Sequence, residues 1–397
     1  MANGRPRATI GHTEPDASPS GTIPMDSTGK GRLLAWLRGT TGRRRHRVFR
    51  ARRLVQGFFT AVTLFVGYRF AVFINAARDG AASIPERPPG VEAFLPISGL
   101  MGVLDAFHQG GLNRIHPAAS VLVVLFLVMA LLLRKAFCSW VCPVGLLSDG
   151  LAVLGRKLAG RNFRPIRWVD FPLRGLKHAL LFFFVGSILA MSPEALVAFI
   201  DSPYNRVADV KMYFFFARLG ATGAWVIAAL ALASVFVTGV WCRYLCPYGA
   251  LLGYFSVLSP LRIRRSAMTC TSCGLCDAAC MARIPISGKP GIISQECTGC
   301  YDCIAVCPVP GTLTMGTRKR SASVAAFAAA VVLVFAVGYG GARVAGIWKN
   351  DISDAEYGER IREIDDPAYG HPGGSGEVEG ESGRRQSSVS PCPRPSP

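Results

Sequence analysis

Cys270-Thr271-Ser272-Cys273-Gly274-Leu275-Cys276-Asp277-Ala278-Ala279-Cys280 and Cys297-Thr298-Gly299-Cys300-Tyr301-Asp302-Cys303-Ile304-Ala305-Val306-Cys307 are two copies of one spacing, C-x-x-C-x-x-C-x-x-x-C. Together they take up eight of the chain's thirteen cysteines. Three such closely spaced thiols can curl round three corners of a 4Fe-4S cube, while the fourth points away and ligates the neighbouring cube in two-cluster ferredoxins. The spacing therefore predicts two 4Fe-4S clusters, one on Cys270, Cys273, Cys276 and Cys307 and the other on Cys297, Cys300, Cys303 and Cys280. Structural zinc prefers separated ligand pairs, and a disulfide framework belongs to small secreted domains without long apolar runs. One departure stands out: Pro308 follows Cys307 as the pattern expects, but Met281 follows Cys280.

Outward from this segment the chain is apolar. Half of its 397 residues are hydrophobic, and they cluster in runs. A hydrocarbon core of about 30 Å needs roughly 20 helical residues. Five stretches meet or approach that length, near residues 54–74, 117–133, 176–191, 213–241 and 322–348. The expectation is an all-α polytopic membrane protein of about five transmembrane helices, with a small α+β two-cluster ferredoxin-like insert on its cytoplasmic side.

The formal charge of +19 invites a nucleic-acid reading, but its distribution opposes one. Lys and Arg concentrate in residues 43–53, 134–177, 262–265 and 318–320, whereas residues 76–116 and 193–212 carry slightly more Asp and Glu. This alternation follows the positive-inside rule. It assigns the cluster segment to the cytoplasm, sends an acidic tail outside, and implies lipid and no nucleic acid as partners. No cleavable signal is expected, because a long hydrophilic stretch precedes the first apolar run. Arg43-Arg44-Arg45 serves more simply as a basic stop than as a twin-arginine signal.

A second repeat lies at the membrane face. Phe137-Cys138-Ser139-Trp140-Val141-Cys142-Pro143-Val144-Gly145 matches Trp241-Cys242-Arg243-Tyr244-Leu245-Cys246-Pro247-Tyr248-Gly249. Residues four apart on a helix share a face, so each copy presents two sulfurs to one side. Proline and glycine then turn the chain out of the helix. If the two copies face each other, Cys138, Cys142, Cys242 and Cys246 form a four-sulfur cage. Its donors suit a third metal centre, redox-active dithiols or a soft ion such as Cu(I).

These motifs together resemble the NapH-type membrane polyferredoxins and the related membrane portions of NosR and CcoG. The resemblance covers most of residues 50–310 and implies single-electron transfer between the quinone pool or a cytoplasmic donor and a redox partner protein. It also implies a component of an oxidoreductase system rather than a stand-alone enzyme, in a bacterial cytoplasmic (inner) membrane. The alternative is a cofactor-maturation factor that reduces or delivers a metal such as copper. The fifth helix, the long basic N-terminus and the acidic tail depart from the NapH pattern.

The resulting map has a disordered basic segment at 1–50, four membrane helices at 51–260, the ferredoxin-like domain at 261–316, a fifth helix at 317–348 and an acidic, largely disordered tail at 349–397. Leu33, Leu34, Trp36 and Leu37 could form an interfacial turn within the first of these. His108 and His116 are weaker candidates for a quinol site, Arg69 for a snorkelling charge, and His178 for a neighbour of the thiols. No C-x-x-C-H haem motif occurs.

Overall fold

The computed structural model describes residues 30–81, 83–160, 162–163 and 165–370. Helix α1 (Lys30–Arg78) runs from the basic segment through the first apolar stretch, with no proline to interrupt it. Disorder up to residue 50 is therefore corrected, since helix already occupies residues 30–50. Val48 is buried, and Arg52 pairs with Asp149 and Asp302, so part of the basic run is held by the fold. The expected disorder of residues 1–29 and of the tail beyond 370, with Cys392, lies outside the described residues.

A 3-10 turn (Pro89–Phe94) leads to α2 (Pro96–Gln109) and α3 (Pro117–Leu133). Each helix starts on a proline, whose missing N–H costs nothing at that position. A π turn (Phe137–Val141) follows, then α4 (Pro143–Ala159), α5 (Arg167–Leu189), α6 (Pro193–Ile200), α7 (Pro203–Arg206), α8 (Ala208–Ala217) and α9 (Ala221–Phe236). A second π turn (Trp241–Leu245) opens into α10 (Pro247–Val257). The ferredoxin-like segment contains β1 (Arg262–Arg265), α11 (Leu275–Ala279), α12 (Asp302–Val306), β2 (Leu313–Gly316) and β3 (Ser321–Ala322). Its strands form one antiparallel sheet in the order β1-β2-β3, with Ile263 opposite Met315. Helix α13 (Val324–Val344) and α14 (Asp354–Arg362) complete the chain.

Among the described residues, three helices are long and apolar enough to cross a membrane, within Gly42–Arg78, Trp168–Leu189 and Val324–Val344. The stretch near residues 213–241 is not one straight span, because α8 and α9 meet at a 79° bend. The three residues between them, Arg218-Leu219-Gly220, put a charge and a flexible glycine where a continuous helix was expected. Helix α3 is apolar but only 17 residues long. Leu64, Phe65, Phe183, Leu232 and Leu333 stand exposed on these helices, as lipid-facing side chains would.

Two apolar cores hold the elements. One runs from Leu122, Phe126 and Met129 of α3 through Trp140 to Met315, Phe327 and the cluster cysteines Cys297 and Cys303, so the ferredoxin segment is packed into the bundle rather than tethered to it. The other joins Phe70, Phe73 and Ile74 at the far end of α1 to Met101, Leu196, Val210, Tyr357 and Ile361. It builds a cap from α2, α6, α8 and α14. The acidic segment after α13 is folded as far as residue 370, with the helix expected within residues 351–366, and Ser353 caps α14 by accepting the Glu356 N–H at 3.1 Å.

Candidate metal centres

The two cysteine loops repeat one backbone. Ser272 and Gly299 occupy equivalent positions with φ of 52° and 65°, and Gly274 and Tyr301 do so with φ of 70° and 65°. These left-handed residues give each loop the same tight curl between its first and third cysteines. Cys270, Cys273 and Cys276 wall a narrow cleft with Cys307, Arg265 and Leu313, partly open to solvent. Cys280 in turn interacts electrostatically with Cys297 and Cys303. The fold thus brings each fourth cysteine to the other triplet. Cys280 has φ −73° and ψ 113°, close to the −65° and 120° of Cys307, so Met281 in place of proline does not alter the turn.

The two sets differ in exposure at one position: Cys273 of the first is exposed, whereas Cys270, Cys280 and Cys300 are half-buried and Cys276, Cys297, Cys303 and Cys307 are buried. The Ser272 backbone N–H and Arg265 hold the Cys270 thiol below its ordinary range. Burial pushes Cys276 up to about 11 and also raises Cys280, Cys300 and Cys303. Buried thiols of this kind do not ionise unaided near neutral pH, and a metal that replaces the proton removes that cost. Among the described residues, no three or more His, Cys, Asp or Glu side chains converge as ligands of a single ion. An all-thiol donor set arranged as two crossed quartets fits 4Fe-4S clusters.

The membrane-face thiols also come together. Each of the six pairs among Cys138, Cys142, Cys242 and Cys246 interacts electrostatically. The motifs sit on π turns rather than α-helix: the Cys142 N–H bonds to the Phe137 carbonyl and the Cys246 N–H to the Trp241 carbonyl, both at 2.9 Å. Such turns recur at functional sites. Pro143 and Pro247 each begin a new helix. Its free N–H groups turn back on the preceding sulfur, from Val144 and Gly145 to Cys142 and from Tyr248 and Gly249 to Cys246. A β-carbon on Gly145 would collide with the Cys138 carbonyl, so glycine is required there.

Residues inside and beside the motifs join the thiols to the second cysteine loop. The Ser139 hydroxyl donates to the Thr298 carbonyl at 2.7 Å, and the Trp140 indole N–H donates to the Gly299 carbonyl at 3.1 Å. Glu296, immediately before Cys297, lies 3.5 Å from Lys135 and 2.5 Å from Lys177. Both lysines are buried and act electrostatically on Cys138. Arg52 bonds to Asp302 of the same loop at 2.8 Å and to Asp149 of α4 at 2.7 Å. Ser139, Trp140, Glu296 and Arg52 were not singled out from sequence, because their partners are distant along the chain.

The weaker candidates resolve differently. His116 is buried, with Nε2 2.6 Å from the Asn205 carbonyl and Nδ1 3.4 Å from Glu92, and Glu92 pairs with Arg87 at 2.9 Å. It belongs to a closed ion network in the cap, and His108 is exposed and apart from it. Arg69 is exposed within electrostatic reach of Glu86, as a snorkelling side chain would be. His178 lies 3.4 Å from the Gln295 amide, close to the lysine pair.

Repeated thiol turns and paired cysteine loops on a helical bundle define a ferredoxin-type electron transport protein of the membrane. A 4Fe-4S binding domain model matches residues 115–162 and again 219–266, and a 4Fe-4S dicluster domain model matches residues 262–321. YccM of Escherichia coli, provisionally named an electron transport protein, is 40% identical over 329 residues, which cover 81% of this chain and 91% of YccM. The ferredoxin-type protein NapH of Haemophilus influenzae is 32% identical over 48% of this chain and 64% of its own length. The regulatory protein NosR of Pseudomonas aeruginosa is 32% identical over 53% of this chain and 29% of its own. The chain belongs to this family of 4Fe-4S ferredoxin-type membrane proteins. No solved structure matches it.

Proposed function

We propose that the chain relays single electrons along three thiol sets: Cys270, Cys273, Cys276 and Cys307; then Cys297, Cys300, Cys303 and Cys280; then Cys138, Cys142, Cys242 and Cys246. The first two would hold 4Fe-4S clusters and the third a further metal centre. The observation that carries this reading is the direct junction of the first π turn to the second cysteine loop, through Ser139 and Trp140. When bound, the clusters supply one-electron redox chemistry. The protein's own residues do the rest. Trp140, Tyr301 and Phe327 pack around the loop and exclude water, while Lys135 and Lys177 would offset the negative charge of metal-bound thiolates.

We also infer five crossings, by α1, α3, α5, α9 and α13, with the cluster segment in the cytoplasm. Support comes from consistency. Segments assigned to the outer side, α2, α6, α8 and α14, pack together at the far end of α1, and the basic segments gather at the other. A quinone or quinol on the membrane side and a redox protein on the other would then be donor and acceptor, in either order.

The test is the iron and acid-labile sulfide content of anaerobically purified protein, with electron paramagnetic resonance before and after reduction. Two clusters predict about eight irons per chain and three about twelve. Cys138→Ser and Cys242→Ser should lower twelve to about eight and leave the ferredoxin signals intact. Equal iron in wild type and both variants removes the third centre and leaves the thiols to metal delivery. No iron at all overturns the relay.

A further inference from the structure

We propose that the cleft between the N-terminal part of α1 and the ferredoxin segment is the docking site of a small acidic electron-carrier protein. Arg43, Arg44, His46, Arg47 and Arg50 line one wall, and the other is formed by Ile304, Pro310, Gly311, Leu313 and Thr314. Leu313 also walls the cleft of Cys270, Cys273, Cys276 and Cys307, and Arg44 donates to the Cys307 carbonyl at 3.3 Å. The site therefore puts an apolar floor and a basic rim against the more exposed cysteine set, which is where a carrier must approach. This inference rests on that set holding a cluster.

The charges are available to a partner. Arg43, Arg47 and Arg50 are exposed, and no acidic side chain among the described residues pairs with them. Such unneutralised rims steer oppositely charged proteins and set their association rate. Anionic lipid fits less well. At 1.5 Å rise per residue, Arg47 and Arg43 stand roughly 10 and 16 Å beyond Leu54 along α1, whereas a headgroup layer is about 5–7 Å deep. A one-electron exchange makes and breaks no bond; the carrier is oxidised as the chain is reduced, or the reverse.

The test uses the full chain in nanodiscs of zwitterionic lipid, titrated with an acidic plant-type 2Fe-2S ferredoxin and with an acidic flavodoxin at several salt concentrations. At least one should bind with an affinity that falls steeply as salt rises. The triple variant Arg43→Glu, Arg47→Glu, Arg50→Glu should lose tenfold or more, while Arg114→Glu in the cap loses nothing. Failure of both carriers to bind overturns the proposal, as does undiminished affinity in the triple variant. Retention of vesicles containing anionic phospholipid without binding of either carrier overturns it in favour of lipid. Iron assayed on the same samples separates the levels: failed docking on an iron-loaded chain removes only the docking site, and a chain without iron removes the cluster beneath it.

Discussion

Arg52 offers a sharp test of how the second cysteine loop is held. Its guanidinium bridges Asp149 at 2.7 Å and Asp302 at 2.8 Å, with side-chain exposures of 9%, 7% and 30% in that order. Arg52→Met keeps the apolar stem and removes the charge. The half-open Asp302 pair is screened and should cost no more than about 1 kcal/mol. The buried Asp149 pair dominates, since stranding a buried charge costs about 3–5 kcal/mol. Burial already raises the Asp149 carboxyl, so in the variant it takes up a proton, and the lower end, about 3 kcal/mol, applies. At about 2–4 °C per kcal/mol this lowers the unfolding midpoint by roughly 6–12 °C. The assay is thermal bleaching of the visible iron-sulfur absorbance, with paramagnetic resonance to show which cluster is lost; the set around Cys297 should go first. Adding Asp149→Asn should recover most of the loss. A single variant that melts like wild type, or a double variant no better than the single, would refute the clamp.

Other perturbations follow from the same geometry. Gly145→Ala should destabilise by about 1–3 kcal/mol because its β-carbon meets the Cys138 carbonyl, whereas Gly249→Ala, with the Cys246 sulfur 3.6 Å away as its nearest neighbour, should be nearly neutral; equal melting of the two contradicts the steric argument. Trp140→Phe removes the N–H that reaches the Gly299 carbonyl and should cost about 1–3 kcal/mol, with the second cluster signal broadened and the first unchanged. In the cap, Glu92 raises the His116 pKa above its ordinary value against the opposing effect of burial. His116 therefore contributes stability that is fully present below the unfolded pKa of about 6.5 and is lost as pH rises through the folded value. Protection factors in α14, which cancel the intrinsic base catalysis of exchange, should fall over that rise in wild type and stay flat in His116→Gln.

Local spacing carried most of the site and less of the fold. The crossing of Cys280 and Cys307 between the loops was legible because a short spacing constrains where a sulfur can point. The alignment of the two thiol turns was legible because the pattern repeats over nine residues. The weld between turn and loop was not, since Arg52 and Asp302 are 250 residues apart and Trp140 and Gly299 are 159 apart. Hydrophobic windows found the apolar stretches, but they average over the Arg218-Leu219-Gly220 break between α8 and α9 and could not register it. They also read the basic start of α1 as solvated chain, because a window does not show that Val48 and Arg52 have partners in another part of the fold.

A single backbone device serves all four cysteines that end a turn. Cys142, Cys246, Cys280 and Cys307 are all extended, with ψ of 123°, 103°, 113° and 120°. At three of them the residue two places on turns its N–H back to the sulfur, namely Val144, Tyr248 and Ala282, and at the fourth the Cys307 thiol lies 3.4 Å from the Val309 carbonyl. Proline after cysteine favours this conformation by closing the helical region to the residue before it, which accounts for Pro143, Pro247 and Pro308. Met281 shows that proline is dispensable where other contacts suffice, for there the Ile284 N–H also reaches the Cys280 sulfur at 3.4 Å. Hydrogen bonds to ligand sulfurs tune the potential of a cluster, so the turn that aims each sulfur also sets its electronics. The membrane-face thiols share this device with the ferredoxin loops. The proposed third centre would require that same construction of Cys142 and Cys246.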